Sequence, residues 1–394
     1  LKRVIVIASL STLLISSTVT LDDIIANAKP PKIIEEKITQ ERLSLESESL
    51  SSSLPEPISV EGAIGRKDGV DDSGFEYDIG FSREILVGDS QRLRREESRL
   101  NYEADLLEQQ LEILGIENWL KDLYHQQCLD SAYVANSQEA YQIFSELYDK
   151  KQVAFRQGEI SKTELLQIEL ERDRLQIELD SSTRGERLSK ELLLSLTELP
   201  RDSSLSCVDI YPIRAEIGLA EDGFKISKEA YSRRVDGINI GLKRYNQKID
   251  RLELVGGYTR ELDSDIFTVG VSIPLNFTSD APKYAKASLK YKSQALELEH
   301  EQKINQKSFE VRELYLKLKQ DALMVEAKRR NIQDYRDRLL PMVKKSYEYG
   351  ESSVIEYLLS QQRLYSMEKE LLDIKRDYYH RLFKLYTVAD RKDR

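Results

Sequence analysis

The stretch YEYGESSVIEYLL, Tyr347 to Leu359, repeats the punctuation of FRQGEISKTELLQ, Phe155 to Gln167. In both, an aromatic residue is followed three positions later by Gly and then Glu. The matches continue: Gly158 with Gly350, Glu159 with Glu351, Ser161 with Ser353, Glu164 with Glu356, and Leu166 with Leu358. Each copy interrupts a long helical pattern that resumes at once on the far side. A glycine just past a helix end supplies the left-handed cap conformation, and the serine that follows can cap the next helix. Each stretch is therefore predicted to be the tip of an antiparallel helical hairpin.

The arms of these hairpins carry coiled-coil seams. Leu93, Leu100, Leu107 and Leu114 fall at sevens, with Ala104 and Leu111 four positions after two of them. The last helix repeats the device with Tyr357, Leu364, Leu371, Tyr378 and Leu385, and with Met367 and Ile374 three residues after two of these. The arm from Pro282 to Tyr347 would run ~95 Å if unbroken. Pro282 suits a helix start, whereas Pro341 lies inside the pattern and should kink it shortly before the tip.

Ahead of each hairpin the period changes to two. Ile58, Val60 and Ile64 alternate with Ser59, Glu61 and Ala63; after DDSG, Phe75, Tyr77, Ile79 and Phe81 alternate with Glu76, Asp78, Gly80 and Ser82. Leu252, Leu254 and Tyr258 form another strand face, and after LDSD the residues Phe267, Val269, Val271, Ile273 and Leu275 alternate with polar and small residues. Each strand is about 9 to 11 residues, enough for a tilted strand to cross a bilayer.

The fold class is thus mainly α with a small β part, and the plan is written twice. A first repeat over 21–200 has a helix, a β-hairpin at 56–86 and a helical hairpin at 90–198. A linker at 201–213 follows, PRDSSLSCVDIYP with its flanks. A second repeat over 214–388 has a helix, a β-hairpin at 252–277 and a helical hairpin at 281–388, and 389–394 form a charged tail. Four strands cannot close a membrane barrel, for which about eight is the minimum. Several chains must pool their strands, or the hairpins must cover something soluble.

Composition narrows the function. The chain is 40% apolar and 32% charged with net charge −10, and nothing in it resembles the basic stripe of a nucleic-acid binder. No internal run reaches the ~18 apolar residues of a spanning helix, which leaves a β-barrel open. Residues 1–20 read as a secretory signal peptide: Lys2 and Arg3, an apolar stretch from Val4 to Ile15, then small and hydroxyl residues. Export makes Cys128 and Cys207 eligible to pair. If the chain turns at Gly158, Cys128 faces residues near 188 and Cys207 lies ~30 Å beyond at helical rise. Either the linker folds back to bridge them, or both remain inert thiols.

The order of parts, the duplication and the two Gly-Glu tips resemble the TolC-type outer-membrane efflux proteins. VTLDDIIANAKP looks like that family's opening helix, and FTVGVSIPLNF leads into APKYAKASLKYKSQA before YEYGESSVIEYLLSQQRLYSMEKEL. The resemblance implies a homotrimer whose chains each give four strands to one twelve-stranded barrel in outer-membrane lipid, continued by a helical tunnel through the periplasm. A periplasmic adaptor and an inner-membrane pump, of the proton-driven RND type, would dock at the helical tips. A narrower similarity is to the heavy-metal cation efflux branch, through FSREILVGDSQRLRREESRL and VGVSIPLNFTSDAPKYAKA, although the usual glycine pair and Arg-Asn-Gln stretch are absent. Drug or type I protein secretion ducts are the alternatives within the class, and a soluble periplasmic coiled-coil scaffold is the alternative outside it.

In such a barrel the apolar faces meet lipid, and Glu61, Glu76, Asp78 and Glu253 line the lumen, with no Lys or Arg on the polar faces of these spans. Acidic rings would favour cations; acidic residues also simply keep a barrel interior wet. At the tips, Glu356 matches one of two acidic residues at the family's inner constriction, and Leu359 replaces the second. Glu164 is its counterpart in the first copy. Both also suit a plain structural role, as helix N-terminal carboxylates stabilised by the dipole. The expected adaptor contacts are the exposed tip residues Gln157, Gly158, Glu159, Gly350, Glu351 and Ser352. His125, His300 and His380 are isolated on helices without metal-ligand spacing and are expected on solvated faces. No phosphate loop, nucleophile elbow or Cys-His pair suggests an enzyme or a cofactor.

Overall fold

The structure, a computed structural model, describes residues 18–53, 57–68, 73–218, 223–246, 251–273 and 281–391. Most of the expected signal peptide, Pro274 and Leu275 of the last strand, and the final three residues lie outside the described residues. In chain order the elements are β1 (Thr18–Val19), α1 (Leu21–Ala26), α2 (Lys29–Ser53), β2 (Ser59–Asp68), β3 (Ser73–Leu86), α3 (Ser90–Arg156), α4 (Lys162–Ser195), β4 (Ser204–Leu205), α5 (Lys225–Arg244), β5 (Arg251–Arg260), β6 (Asp265–Ser272), α6 (Ala281–Asp334), a π turn (Tyr335–Leu339), α7 (Leu340–Glu348) and α8 (Val354–Val388). Two compact units are formed, one from Leu1–Lys32, Ile113–Glu221 and Phe309–Arg394, the other from Ile33–Glu112 and Asp222–Ser308.

The second unit holds a four-stranded antiparallel sheet of order β2-β3-β5-β6. The two hairpins are joined through β3 and β5, with Phe81 opposite Gly256 and Glu84 opposite Glu253. Strands β2 and β6 are left as edges. Below it, the seam residues Leu93 and Leu100 of α3 bury against Ile240 of α5. Arg234 of α5 reaches Asp105 and, at 3.1 Å, Glu108. His300 stacks on Tyr231 with ring centroids 3.9 Å apart, and burial, with Lys303 and Lys228 nearby, holds its pKa below the usual imidazole value.

The first unit is a helical pack. Leu129 of α3, Leu314 and Leu318 of α6, and Tyr378, Leu382 and Leu385 of α8 form one core. Phe144 and Leu147 of α3, Ile168 and Leu175 of α4, and Val354, Leu358 and Tyr365 of α8 form another, just behind the tips. α3 runs 67 residues because it contains one glycine, Gly115, and no proline. Just ahead of Pro341, where a kink is expected, the helix carries a π turn. Proline has no N–H to give, and Leu340 N–H bonds back five residues to Tyr335 C=O, so the ladder widens just ahead of the ring.

The linker behaves differently from a continuation of α4. β4 returns to pair in parallel with β1, Thr18 with Ser204 and Val19 with Leu205. The next residues are tied to two helices. Tyr124 hydroxyl donates to Ser206 C=O, and Tyr211 N–H donates to His125 Nε2 at 3.0 Å. Tyr379 hydroxyl donates to Tyr211 C=O at 2.6 Å, and Arg214 N–H donates to Tyr378 hydroxyl at 3.0 Å. The Cys128–Cys207 pair is therefore bridged, with Cα atoms 5.6 Å apart; of the two arrangements left open by the sequence, the folded-back linker is the one formed. The solvated position expected for His125 is wrong. It is fully buried among Tyr211, Tyr379 and Phe383, with its Nδ1 2.7 Å from Lys121 C=O. His380 is exposed but not isolated, its Nδ1 lying 2.8 Å from Asp122.

Candidate functional site

Both tips are the same piece of chemistry. Gly158 has φ +78 and Gly350 φ +75, values that a side chain would strain. Around each, two backbone bonds close a Schellman motif: Gly158 N–H to Phe155 C=O at 3.0 Å and Glu159 N–H to Ala154 C=O at 2.9 Å, then Gly350 N–H to Tyr347 C=O at 3.0 Å and Glu351 N–H to Ser346 C=O at 2.8 Å. The following helix opens on a capping box. Ser161 Oγ accepts from Glu164 N–H while Glu164 accepts from Ser161 N–H at 3.0 Å. Ser353 and Glu356 do the same, both bonds at 3.2 Å. The dipole role weighed for these glutamates thus takes the more specific form of a reciprocal cap.

The copies differ in exposure. Glu356 is exposed, whereas Glu164 is half-buried. Gln157, Gly158, Glu159, Gly350 and Glu351 are exposed as expected; Ser352 is half-buried, and its Oγ is buried without a hydrogen-bond partner. Leu359 is 58% exposed. Beside the second tip, Tyr347 stacks on Tyr357 with centroids 5.3 Å apart, and Lys151 Nζ lies 5.0 Å over the Tyr347 ring. These rings edge a groove of ≈ 650 Å³ that also takes in Leu147, Lys150, Pro341 and Lys344.

Behind the tips the helices are locked by a polar cluster. Lys369 of α8 donates to Glu178 of α4 at 2.7 Å, and Tyr133 of α3 donates to the same oxygen at 3.2 Å. Burial alone would raise the pKa of Glu178, but hydrogen bonds from Lys369, Tyr365 and Tyr133 hold it below the ordinary carboxylate value. Burial raises the Tyr365 hydroxyl, which pairs with Ser137 Oγ at 3.1 Å. Glu368 is raised by burial despite its contact with Arg336 of the π turn.

In the sheet, opposed residues of neighbouring strands share a face. The register puts Glu61, Glu76, Asp78 and Glu253 together on the polar one, as Glu61 faces Gly80 and Glu84 faces Glu253. That face is not free of cations. β2 extends past Ile64 to Asp68, which brings Lys67 to 3.1 Å from Glu76, and Arg251 at the start of β5 lies 3.4 Å from Glu84. Asp78 accepts from Thr259 Oγ1 at 3.0 Å. The other face is apolar over its middle and exposed there, Ile64 at 79%, Phe267 at 78% and Val269 at 95%, with Arg66, Arg83 and Arg260 on the same side toward the strand ends. Lys67 and Arg251 lie at strand ends, beyond the alternating core by which the spans are recognised in the sequence.

No family model and no curated protein matches the chain. Solved structures do. The CmeC outer membrane channel of Campylobacter jejuni is 15% identical with a TM-score of 0.77, covering 93% of this chain and 85% of that one. The outer membrane protein VceC of Vibrio cholerae is 12% identical with a TM-score of 0.75, over 94% and 95%. The open state of the MtrE outer membrane channel of Neisseria gonorrhoeae is 15% identical with a TM-score of 0.73, over 94% and 88%. On this likeness over nearly its whole length, the chain has the fold of the TolC-type outer-membrane channels.

Proposed function

We propose that this protein is the outer-membrane exit duct of a tripartite efflux assembly, exported by its N-terminal segment and built as a homotrimer. The observation that carries the reading is the sheet. It leaves the apolar middle of one face exposed and, among the described residues, both edge strands unpaired, which suits a surface against lipid and edges against neighbouring copies. Three copies would give twelve strands, enough to close a barrel with the polar face inward. The capped tips and the groove beside Tyr347 are where a periplasmic adaptor would meet the duct, with a proton-driven RND pump behind it.

Substrates pass through unchanged. Because Lys67 and Arg251 answer Glu76 and Glu84, the cation preference of the lumen rests on Glu61, Asp78 and Glu253. Three copies of each make rings that suit cationic cargo, including metal ions. The test is outer-membrane fractionation, resistance of the oligomer to SDS, and conductance in planar bilayers. Recovery as a soluble monomer without conductance would leave a periplasmic scaffold as the correct reading.

A further inference from the structure

The linker is held to α3 and α8 by side chains of different kinds. Cys207 is bridged to Cys128, and Tyr124 hydroxyl donates to Ser206 C=O. Tyr379 hydroxyl donates to Tyr211 C=O at 2.6 Å, and Tyr378 hydroxyl sits between Arg214 N–H at 3.0 Å and Arg214 C=O at 3.1 Å. These ties keep their form at ordinary pH. A disulfide does not titrate, and burial raises all three phenols, that of Tyr379 to about 12. The remaining tie is His125 Nε2, which accepts from Tyr211 N–H at 3.0 Å. Imidazole is the side chain whose charge ordinarily changes between pH 5 and 8.

The geometry fixes the form of this ring. Lys121 C=O, 2.7 Å from Nδ1, can only accept, so Nδ1 carries the proton. Tyr211 N–H can only donate, so Nε2 must be unprotonated. A second proton would set Nε2–H against Tyr211 N–H, donor against donor, in a site where His125 is fully buried among the rings of Tyr211, Tyr379 and Phe383. Charged and titratable neighbours come from each packed element. α3 supplies Lys121 and Asp122, and the linker supplies Asp209, which accepts from Leu21 N–H at 3.4 Å. α8 supplies Arg376, bonded to Asp130, and His380, 2.8 Å from Asp122; Arg329 of α6 acts electrostatically on Tyr379. His380 answers acid in the opposite sense from His125. Its protonation completes an ion pair with Asp122 and tightens α3 to α8.

We propose that His125 is a pH-sensitive clasp on the linker: the neutral ring holds Tyr211, and protonation at Nε2 releases residues 208–213 while the Cys128–Cys207 bridge and the α3–α8 contacts stay closed. The step takes one proton from solvent and breaks one N–H···N hydrogen bond. The clasp goes beyond the duct reading and does not depend on it. Acid in the surrounding medium would loosen the joint between the two repeats without unfolding either.

The experiment is hydrogen exchange read by mass spectrometry on the full chain in detergent, at pH 7.5 and pH 5.0, corrected for intrinsic exchange rates. The clasp gains its proton only on opening, so closure is favoured above the ordinary imidazole range and is lost as pH falls below it. With an opened-state imidazole titrating near its ordinary value of about 6.5, opening of 208–213 should rise about 30-fold between the two pH values. Protection of α3 over 118–135 should not change. His125→Gln, which keeps an acceptor without a titrating ring, should show no pH-dependent rise, whatever its own level of opening. Asp209→Asn should keep the rise. A wild type without the rise, a rise that His125→Gln retains, or one that Asp209→Asn abolishes overturns the clasp. Loss of α3 protection alongside the linker at pH 5.0 would mean general unfolding and overturn it as well.

Discussion

Glu356 is at once the third residue of its helix, closing the capping box on Ser353, and an exposed carboxylate at the tip. Glutamine can take the capping role without the charge. Glu356→Gln should therefore keep thermal stability close to wild type and abolish block of the channel by multivalent cations, read as single-channel current. Glu356→Ala should lose both, with about 1 kcal/mol of stability. Persisting block in Glu356→Gln would exclude this carboxylate from the constriction that the resemblance implies. Gly350→Ala should cost about 1 kcal/mol through the left-handed backbone alone. The tips were legible in the sequence because their chemistry is local: glycine, serine and glutamate act within six residues of one another. His125 was not, because what buries it is Tyr211, brought back from the far side of a whole hairpin.

At the scale of elements, the seams of α3 and α8 were readable from heptad spacing, and Leu93, Leu100, Leu364, Tyr378 and Leu385 are all buried. The linker was not readable, since an extended segment follows its hydrogen-bond partners and carries no period of its own. Replacing Cys128 and Cys207 by serine should cost roughly 2–4 kcal/mol, measured as a lowered unfolding midpoint that reducing agent reproduces in the wild type. The α4–α8 lock predicts a pH signature. Glu178 is held below its ordinary pKa, so its contribution is present above the usual carboxylate range and is lost as pH falls through the lowered folded value. Glu178→Gln should therefore cost about 2 kcal/mol at pH 7, and its melting curve should converge on that of the wild type as the pH falls below about 4.

Over the whole molecule, the strands were legible from alternation, but the joining of the two hairpins through β3 and β5 depends on distant segments meeting. The proposed duct makes the uncovered face testable. Val269→Lys should impair assembly in the membrane, at a cost of about 2–4 kcal/mol if the side chain lies near mid-bilayer, seen as loss of the SDS-resistant oligomer. Neutralising Glu61, Asp78 and Glu253 together should move the reversal potential in a salt gradient toward zero selectivity, and an unchanged potential would place cation preference elsewhere. The Cys128–Cys207 bridge spans 79 residues that include the whole first tip and all of α4. It cannot close until the hairpin has turned and the linker has come home, and it requires an oxidising compartment. The bridge is thus a time stamp: in a pulse-labelling experiment, the disappearance of reactive thiols would mark the moment at which a newly made chain has finished folding its first helical hairpin and linker.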